Sequence, residues 1–303
     1  MSILVVGSVA LDSVETPFGR VENALGGSGT YFSIAASYFA PIKLVAVVGN
    51  DFPERHIQML KKHRIDLAGL KRAAGKTFHW KGKYAYDMNK AETLDTQLNV
   101  FAHFQPEIPE GYRKSEYVFL GNIDPELQLE VLKQVKKPRV VACDTMNFWI
   151  ERKKKELKKT LKFVDILVVN EAEVRQLAEE TNLIKAARAI LSWGPKSLVV
   201  KRGEYGALFF SKNHIFSAPA YPLETVYDPT GAGDSFAGGF MGYLAHCNSL
   251  HKVNLRRAIV FGSVMASFDV EDFSLNRLSK LNWKMINNRF QQFKKLTHFE
   301  VLE

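Results

Sequence analysis

Short runs of apolar, mostly β-branched residues recur along the chain at 3–8, 44–49, 117–121, 140–144, 166–170 and 198–201. Each is apolar at successive positions, the pattern of a strand buried on both faces. Between the runs, apolar residues recur at helical spacing and predict helices over 29–39, 53–63, 125–135, 151–164, 171–179 and 183–193. Strands alternating with helices predict an α/β fold: a mostly parallel sheet covered on both faces, in three layers.

Two segments break the rhythm. Residues 12–25 and 75–104, the second carrying Phe78, Trp80, Tyr84, Tyr86, Val100, Phe101 and Phe104, alternate like strands with no helix between. They predict an antiparallel flap, a small β-sheet lid inserted into the α/β body. A second antiparallel patch is expected at 207–210 and 215–218, and from Gly231 onward the chain reads as mostly helical. There is no internal repeat, low-complexity tract or long linker, so residues 1–303 read as one body with a lid.

Composition narrows this only a little. The chain has 303 residues, 46% hydrophobic and 24% charged, which excludes a disordered polymer. Its two cysteines, Cys143 and Cys247, form neither a disulfide framework nor a CxxC metal motif, which fits a reducing, cytoplasmic setting. The N-terminal apolar run lacks a basic leader, unlike a signal peptide, and nowhere do about 18 apolar residues run together to span a membrane. The 41 Lys and Arg against 32 Asp and Glu leave +9, which invites an anionic partner. The densest basic run, from Arg152 to Lys162, shares its segment with Leu157, Leu161 and Val164 at helical spacing. Its charges read as the solvated face of one helix rather than a nucleic-acid patch.

The chemistry concentrates in Asp228-Pro229-Thr230-Gly231-Ala232-Gly233-Asp234-Ser235-Phe236. Two acids bracket a Gly-Ala-Gly turn that opens a helix. A helix N-terminus offers free N–H donors and partial positive charge, and glycine lets an anion approach the backbone closely. Asp234, in the first helical turn, has two readings: a capping acid worth about 0.3–1 kcal/mol, or a general base aimed at a substrate hydroxyl. In the second, the N–H groups of Ala232, Gly233 and Asp234 stabilise a transferring phosphoryl group. Gly238, Gly239 and Gly242 lie inside the same helix, each costing about 1 kcal/mol against alanine, which predicts close packing against sheet or ligand.

This stretch resembles the C-terminal signature of the ribokinase-like, or PfkB, carbohydrate kinases. Other segments follow in the family's order. Gly7-Ser8-Val9-Ala10-Leu11-Asp12 is similar to its first strand and sugar-contacting aspartate, and Gly26-Gly27 to its diglycine hinge. Asn170-Glu171-Ala172-Glu173 resembles its N-x-x-E motif, and Lys201-Arg202-Gly203-Glu204-Tyr205-Gly206 its turn beside the nucleotide. The aromatic flap falls where the family carries a β-lid.

The resemblance implies a ribokinase-like fold and an ATP-dependent phosphotransferase that moves the γ-phosphoryl group to a primary hydroxyl of a small sugar. Asp234 would be the base, with Gly231, Ala232 and Gly233 in the anion hole; Asp12, Gly26, Gly27, Tyr31 and Asp228 would meet the acceptor. Lys201, Gly203, Glu204, Gly206, Gly231, Gly233, Phe261, Ser263 and Ser267 would meet the nucleotide. Asn170 and Glu173 would act on Mg²⁺ through water; a monovalent cation and a homodimer through the lid are further family features. Neither nucleic acid nor membrane is among the implied partners. Tyr31 stands where the family usually carries an asparagine that reaches substrate, and 264–273 lacks a Gly-Ala pair often seen there. Tyr31 and the aromatic flap motivate an alternative, an adenosine-like nucleoside kinase. A second alternative is a nucleotide or metabolite sensor that kept the fold without catalysis.

Three look-alike motifs fail. Gly75-Lys76-Thr77 lacks the first glycine of a P-loop, since position 70 is Leu70. Gly27-Ser28-Gly29 begins a dinucleotide fingerprint that breaks at Phe32. His246, Cys247 and His251 have no fourth neighbouring ligand and read as a helix end and its following loop.

Overall fold

The computed structural model describes residues 1–298; the last five positions of the 1–303 span lie outside the described residues. The chain begins with β1 (Ile3–Val6), β2 (Ala10–Thr16), β3 (Gly19–Gly26), α1 (Ser28–Ser37), β4 (Ile42–Val48), α2 (Glu54–Lys62) and β5 (Ile65–Arg72). Next come β6 (Phe78–Tyr84), β7 (Ala91–Gln97), β8 (Tyr117–Leu120), α3 (Pro125–Gln134), β9 (Val140–Cys143), α4 (Asn147–Arg152), α5 (Lys154–Leu161) and β10 (Ile166–Asn170). The remainder is α6 (Glu171–Ala178), α7 (Leu183–Leu191), β11 (Ser197–Lys201), β12 (Ala207–Ser211), β13 (His214–Ala218), α8 (Ala232–Cys247), α9 (Lys252–Asp269) and α10 (Trp283–Leu296).

Nine strands form one sheet in the order β13-β12-β11-β10-β9-β8-β1-β4-β5, parallel from β11 to β5 with β12 and β13 antiparallel. Ile3 and Val5 feed one core with α1, α8 and α9; Leu4 and Val6 feed another with α3, α5, α6 and α7. Two cores on opposite faces explain why these strands read as continuous apolar runs. Chain order reverses at β1, between β8 and β4, and the crevice beyond the strand C-termini at such a point is where ligands bind in open α/β sheets. Among the described residues no helix is long and apolar enough to cross a membrane.

The lid is a four-stranded sheet in the order β3-β2-β6-β7. The expected all-antiparallel flap is corrected here, because β2 and β6 pair in parallel, with Asp12 opposite Trp80 and Val14 opposite Gly82. The lid also stops at Gln97. Val100 and Phe101 pack against, and Phe104 lies in, the body core that holds Leu4 and Val6, and Phe78 stacks on Phe101 at 5.3 Å between centroids. Asp51 Oδ1 anchors the hinge, accepting from both N and Oγ1 of Thr77 at 2.7 Å.

Three further expectations are adjusted. The edge strand β5 had no counterpart in the apolar pattern. The helix expected over 151–164 breaks at Lys153 (φ −134°, ψ 36°), whose Nζ turns aside to Asp124 at 2.6 Å and to Glu126. Beyond the break, Leu157 and Leu161 are buried and the lysines are left on the outer face, as the spacing requires. The glycines of α8 pack against helices rather than sheet or ligand. A Cβ on Gly238 would fall 2.5 Å from Phe32 O, one on Gly239 2.6 Å from Met265 Cγ, and one on Gly242 2.9 Å from Phe39.

Candidate active site

The loop from β1 to the lid returns through Gly27 into α1. Gly27 has φ +92°, and a Cβ there would meet Ser8 O at 2.6 Å, so this crossing requires glycine. Ser8 and Ser28 lock it reciprocally, Ser28 N donating to Ser8 Oγ at 3.0 Å and Ser8 N to Ser28 Oγ at 3.3 Å. Gly26 has no side chain because Asp12 fills the space: a Cβ would lie 1.8 Å from Asp12 Oδ2. Burial lifts the Asp12 carboxyl to about 7, the Gly27 N–H pulls it down, and the charges of Asp228 and Asp234 add to the rise.

Opposite stands the turn into α8. Gly231 caps the helix at φ +85°, and its missing side chain accommodates the ring of Tyr31, 2.3 Å from where a Cβ would be. Tyr31 is 2% exposed. Its ring supports the turn from behind, packed on the bare face of Gly231, while burial and then the charges of Asp269, Asp228 and Asp12 push the pKa of its hydroxyl up. Asp228 accepts from Thr230 N at 2.9 Å and from Ser274 N at 3.1 Å, tying the turn to the segment after α9. The Ala232 N–H, expected in the anion hole, instead donates to Pro229 O at 3.2 Å. Among the described residues the N–H groups of Gly231, Gly233 and Asp234 carry no backbone acceptor and remain for an anion.

Asp234 stands in a cluster drawn from three strand ends. Lys201, at the end of β11, donates to Asp144, just beyond β9, at 3.0 Å, and a Cβ on Gly233 would fall 2.9 Å from Lys201 Nζ. Burial raises Asp234 to about 7, the Asp144 charge adds to it, and Lys201 opposes it. Burial works against the Lys201 ammonium, but Asp144, Glu173 and Asp234 outweigh it and raise its pKa.

Asn170 and Glu173 form a reciprocal capping box on α6: Glu173 N donates to Asn170 Oδ1 and Asn170 N to Glu173 Oε2, each at 2.8 Å. The structural role of this pair is therefore real, and one Glu173 oxygen is left over. Burial, then the nearby Asp144 charge, raises Glu173 to about 7. Among the described residues no three His, Cys, Asp or Glu side chains converge to hold a metal ion by themselves. Three carboxylates around one ammonium nevertheless leave a local negative excess, and this fits a Mg²⁺ held chiefly by phosphate and water.

On the far side of the turn lies a cavity of about 650 Å³, lined by Lys201, Gly203, Glu204, Gly206, Gly233, Ser263 and Ser267 among others. Seven residues expected at the nucleotide thus share one cavity. Gly231, on the turn itself, and Phe261 do not; Phe261 is buried in the body core, stacked on Phe290 at 4.3 Å and on Tyr243 at 4.6 Å. Its aromatic character serves packing between α8, α9 and α10.

The sequence pattern passed over one residue that the fold brings to the site, Asp144, and named two others, Tyr84 and Trp80, only as aromatics of the flap. Asp144 looked like a strand end. Tyr84 reaches from the lid, its hydroxyl 3.3 Å from Thr230 Oγ1. Trp80 shares the body-facing side of the lid with Asp12, its register partner, and with Tyr84; its ring lies across Gly82, where a Cβ would come within 2.1 Å, and Nε1 donates to Thr93 Oγ1 at 3.2 Å.

With a lid on one side of the Gly231–Asp234 turn and a nucleotide-sized cavity on the other, the molecule is organised as a small-molecule kinase of the ribokinase fold. The chain belongs to the pfkB family of carbohydrate kinases, whose family model it matches over residues 2–280. A cytidine kinase from Thermococcus kodakarensis is 31% identical over 249 residues, 80% of this chain and 88% of that protein. Among solved structures, the Methanocaldococcus jannaschii nucleoside kinase superposes with a TM-score of 0.78 at 21% identity, covering 96% of this chain and 98% of the other. A fructokinase from Vibrio cholerae O395, in a form with fructose, ADP and calcium ion bound, gives 0.79 at 18%, covering 95% and 98%. The protein is thus a phosphotransferase of the carbohydrate and nucleoside kinase family.

Proposed function

We propose that this kinase phosphorylates nucleosides, transferring the γ-phosphoryl group of ATP to a primary hydroxyl with Asp234 as general base. The observation that carries the acceptor class is Trp80. An indole lying flat across Gly82, beside Asp12 and on the face turned toward the body, is an aromatic platform above the sugar-binding acid. A nucleobase stacks on such a surface. A free pentose or hexose has only an aliphatic ring and no planar aromatic base to stack there, although Asp12, Gly27 and Asp228 would hold the hydroxyls of a sugar or a nucleoside alike. Likeness to a cytidine kinase supports the same class.

In this reading Asp234 takes the proton from the acceptor hydroxyl as its oxygen attacks the γ-phosphorus, and the bond to the β,γ-bridging oxygen of ATP breaks. A base with a pKa near 7 suits proton transfer at neutral pH. The N–H groups of Gly231, Gly233 and Asp234 stabilise the charge on the transferring group, and Lys201 adds a fixed positive charge beside Gly233. Mg²⁺, when bound, supplies neutralisation of phosphate charge, with Glu173 and Asn170 ordering its water and Asp144 fixing Lys201. Lid closure excludes water from the transfer.

A panel of ribose, fructose and nucleosides, cytidine included, assayed with ATP and Mg²⁺ tests the acceptor class. Turnover is expected on nucleosides. Activity confined to free sugars would return the assignment to a sugar kinase, and tight ADP binding with no transfer to any acceptor would support the sensor reading.

A further inference from the structure

The tip of the lid hairpin reaches past the acceptor side. The turn between β6 and β7 carries Asp87, Met88 and Asn89 into the wall of the nucleotide-sized cavity, facing Gly203 and Glu204. Asn89 packs on the bare face of Gly203, which has φ +55°, and a Cβ there would fall 2.0 Å from Asn89 Oδ1. Asn89 Nδ2 also donates to Glu204 Oε1 at 3.4 Å. The tip is internally braced, since Asn89 N donates to Asp87 Oδ1 at 3.1 Å and Lys90 N to Asp87 O at 3.2 Å. Where β6 enters this turn, Tyr84 touches Thr230 of the anion-binding turn. One arm of the lid therefore meets both the transfer centre and the donor wall.

We propose that Asn89 is a nucleotide-positioning residue: its amide, carried by the lid, completes the donor site. The glycine turn at 203–206 leaves room for a nucleotide against backbone, and the amide of Asn89 brings a donor and an acceptor to that wall from the lid. A bound nucleotide then contacts lid and body together, so it favours the closed lid. By reciprocity of linked binding, a closed lid tightens the nucleotide in turn. The inference rests on the kinase reading of the donor cavity and is independent of the acceptor's identity.

The test is the affinity of ADP with Mg²⁺, titrated calorimetrically without acceptor, for the full chain and for Asn89→Ala. Losing one hydrogen bond of ordinary strength predicts about a fivefold weaker Kd. The thermal midpoint of the unliganded protein should not change, because the side chain is exposed. Asn89→Asp, which sets a carboxylate against Glu204 and the phosphates, is expected to bind ADP more weakly still. In turnover assays with any acceptor the panel identifies, KM for ATP should rise while kcat at saturating ATP stays put. Unchanged ADP affinity in Asn89→Ala, or a loss of affinity matched by a fall in the unliganded midpoint, would overturn the proposal. Because ADP binding needs no acceptor, this outcome is separable from a failure of the nucleoside assignment.

Discussion

Lys201 Nζ donates to Asp144 Oδ2 at 3.0 Å, and this buried pair sits against Gly233, one residue before Asp234, the proposed base. With side chains 17% and 6% exposed, the two are only weakly screened by bulk water. The pair therefore acts on Asp234 in opposite senses, Asp144 raising its pKa and Lys201 lowering it, on top of the larger rise from burial. The balance lifts the Asp234 carboxyl to about 7, the range the proposed base needs.

A titration follows from that balance. kcat/KM for the acceptor should fall as pH drops through about 7, where Asp234 takes up a proton. Asp144→Asn removes a neighbouring anion that raises the pKa, so the acidic limb should move to lower pH. Lys201→Met removes the opposing cation and should move it higher. The pH profiles of the three proteins check the signs.

Gly26→Ala is expected to damage acceptor binding selectively. The new Cβ would occupy the space of the Asp12 carboxylate. Losing a hydrogen bond to a charged group costs about 1.5–3 kcal/mol, about a tenfold to hundredfold rise in KM. Acceptor KM should rise in that range with KM for ATP unchanged, as initial-rate kinetics would report.

Gly238→Ala should destabilise by about 1–3 kcal/mol despite alanine's better helix propensity, because the methyl group meets Phe32 O and the Ala35 side chain across the α1–α8 contact. Gly111→Ala, whose Cβ would meet nothing within 4 Å, serves as the control and should stay within about 0.5 kcal/mol of the parent. Urea denaturation compares them.

Trp80→Leu separates the base from the sugar. Stacking of one base on an aromatic ring is worth about 1–3 kcal/mol, so nucleoside KM should rise by about fivefold to a hundredfold. Any weak turnover of ribose should be left unchanged. Equal losses on both acceptors would remove Trp80 as the base platform.

Much of the body was legible because β1, β4, β8, β9, β10 and β11 are buried on both faces and carry unbroken apolar runs. β5 was not, since Asp66, Lys71 and Arg72 sit on an exposed sheet edge and dilute its pattern. The glycine turn at 231–233 stood out as a motif before an acid, and at Gly231 the backbone itself requires the residue type, with φ +85° and the Tyr31 ring where a Cβ would be. The parallel pairing of β2 with β6 depends on two body strands delivering the lid segments side by side, and so the alignment of Trp80 with Asp12 emerges only in three dimensions. Asp144 escaped notice at the end of an apolar strand, and its role depends on Lys201 arriving from a neighbouring part of the sheet. Phe261 was misplaced for the converse reason: an aromatic on a helix beside small residues has the same appearance whether it meets a base or other rings.

The central claim is that Asp234 is the base in phosphoryl transfer, and Asp234→Asn tests it most directly. In single-turnover assays with ATP, Mg²⁺ and a responsive nucleoside, the transfer rate of this variant should fall by about 10²- to 10⁴-fold. Its ADP affinity and thermal midpoint should stay close to those of the parent. Near-normal transfer by Asp234→Asn would contradict the account.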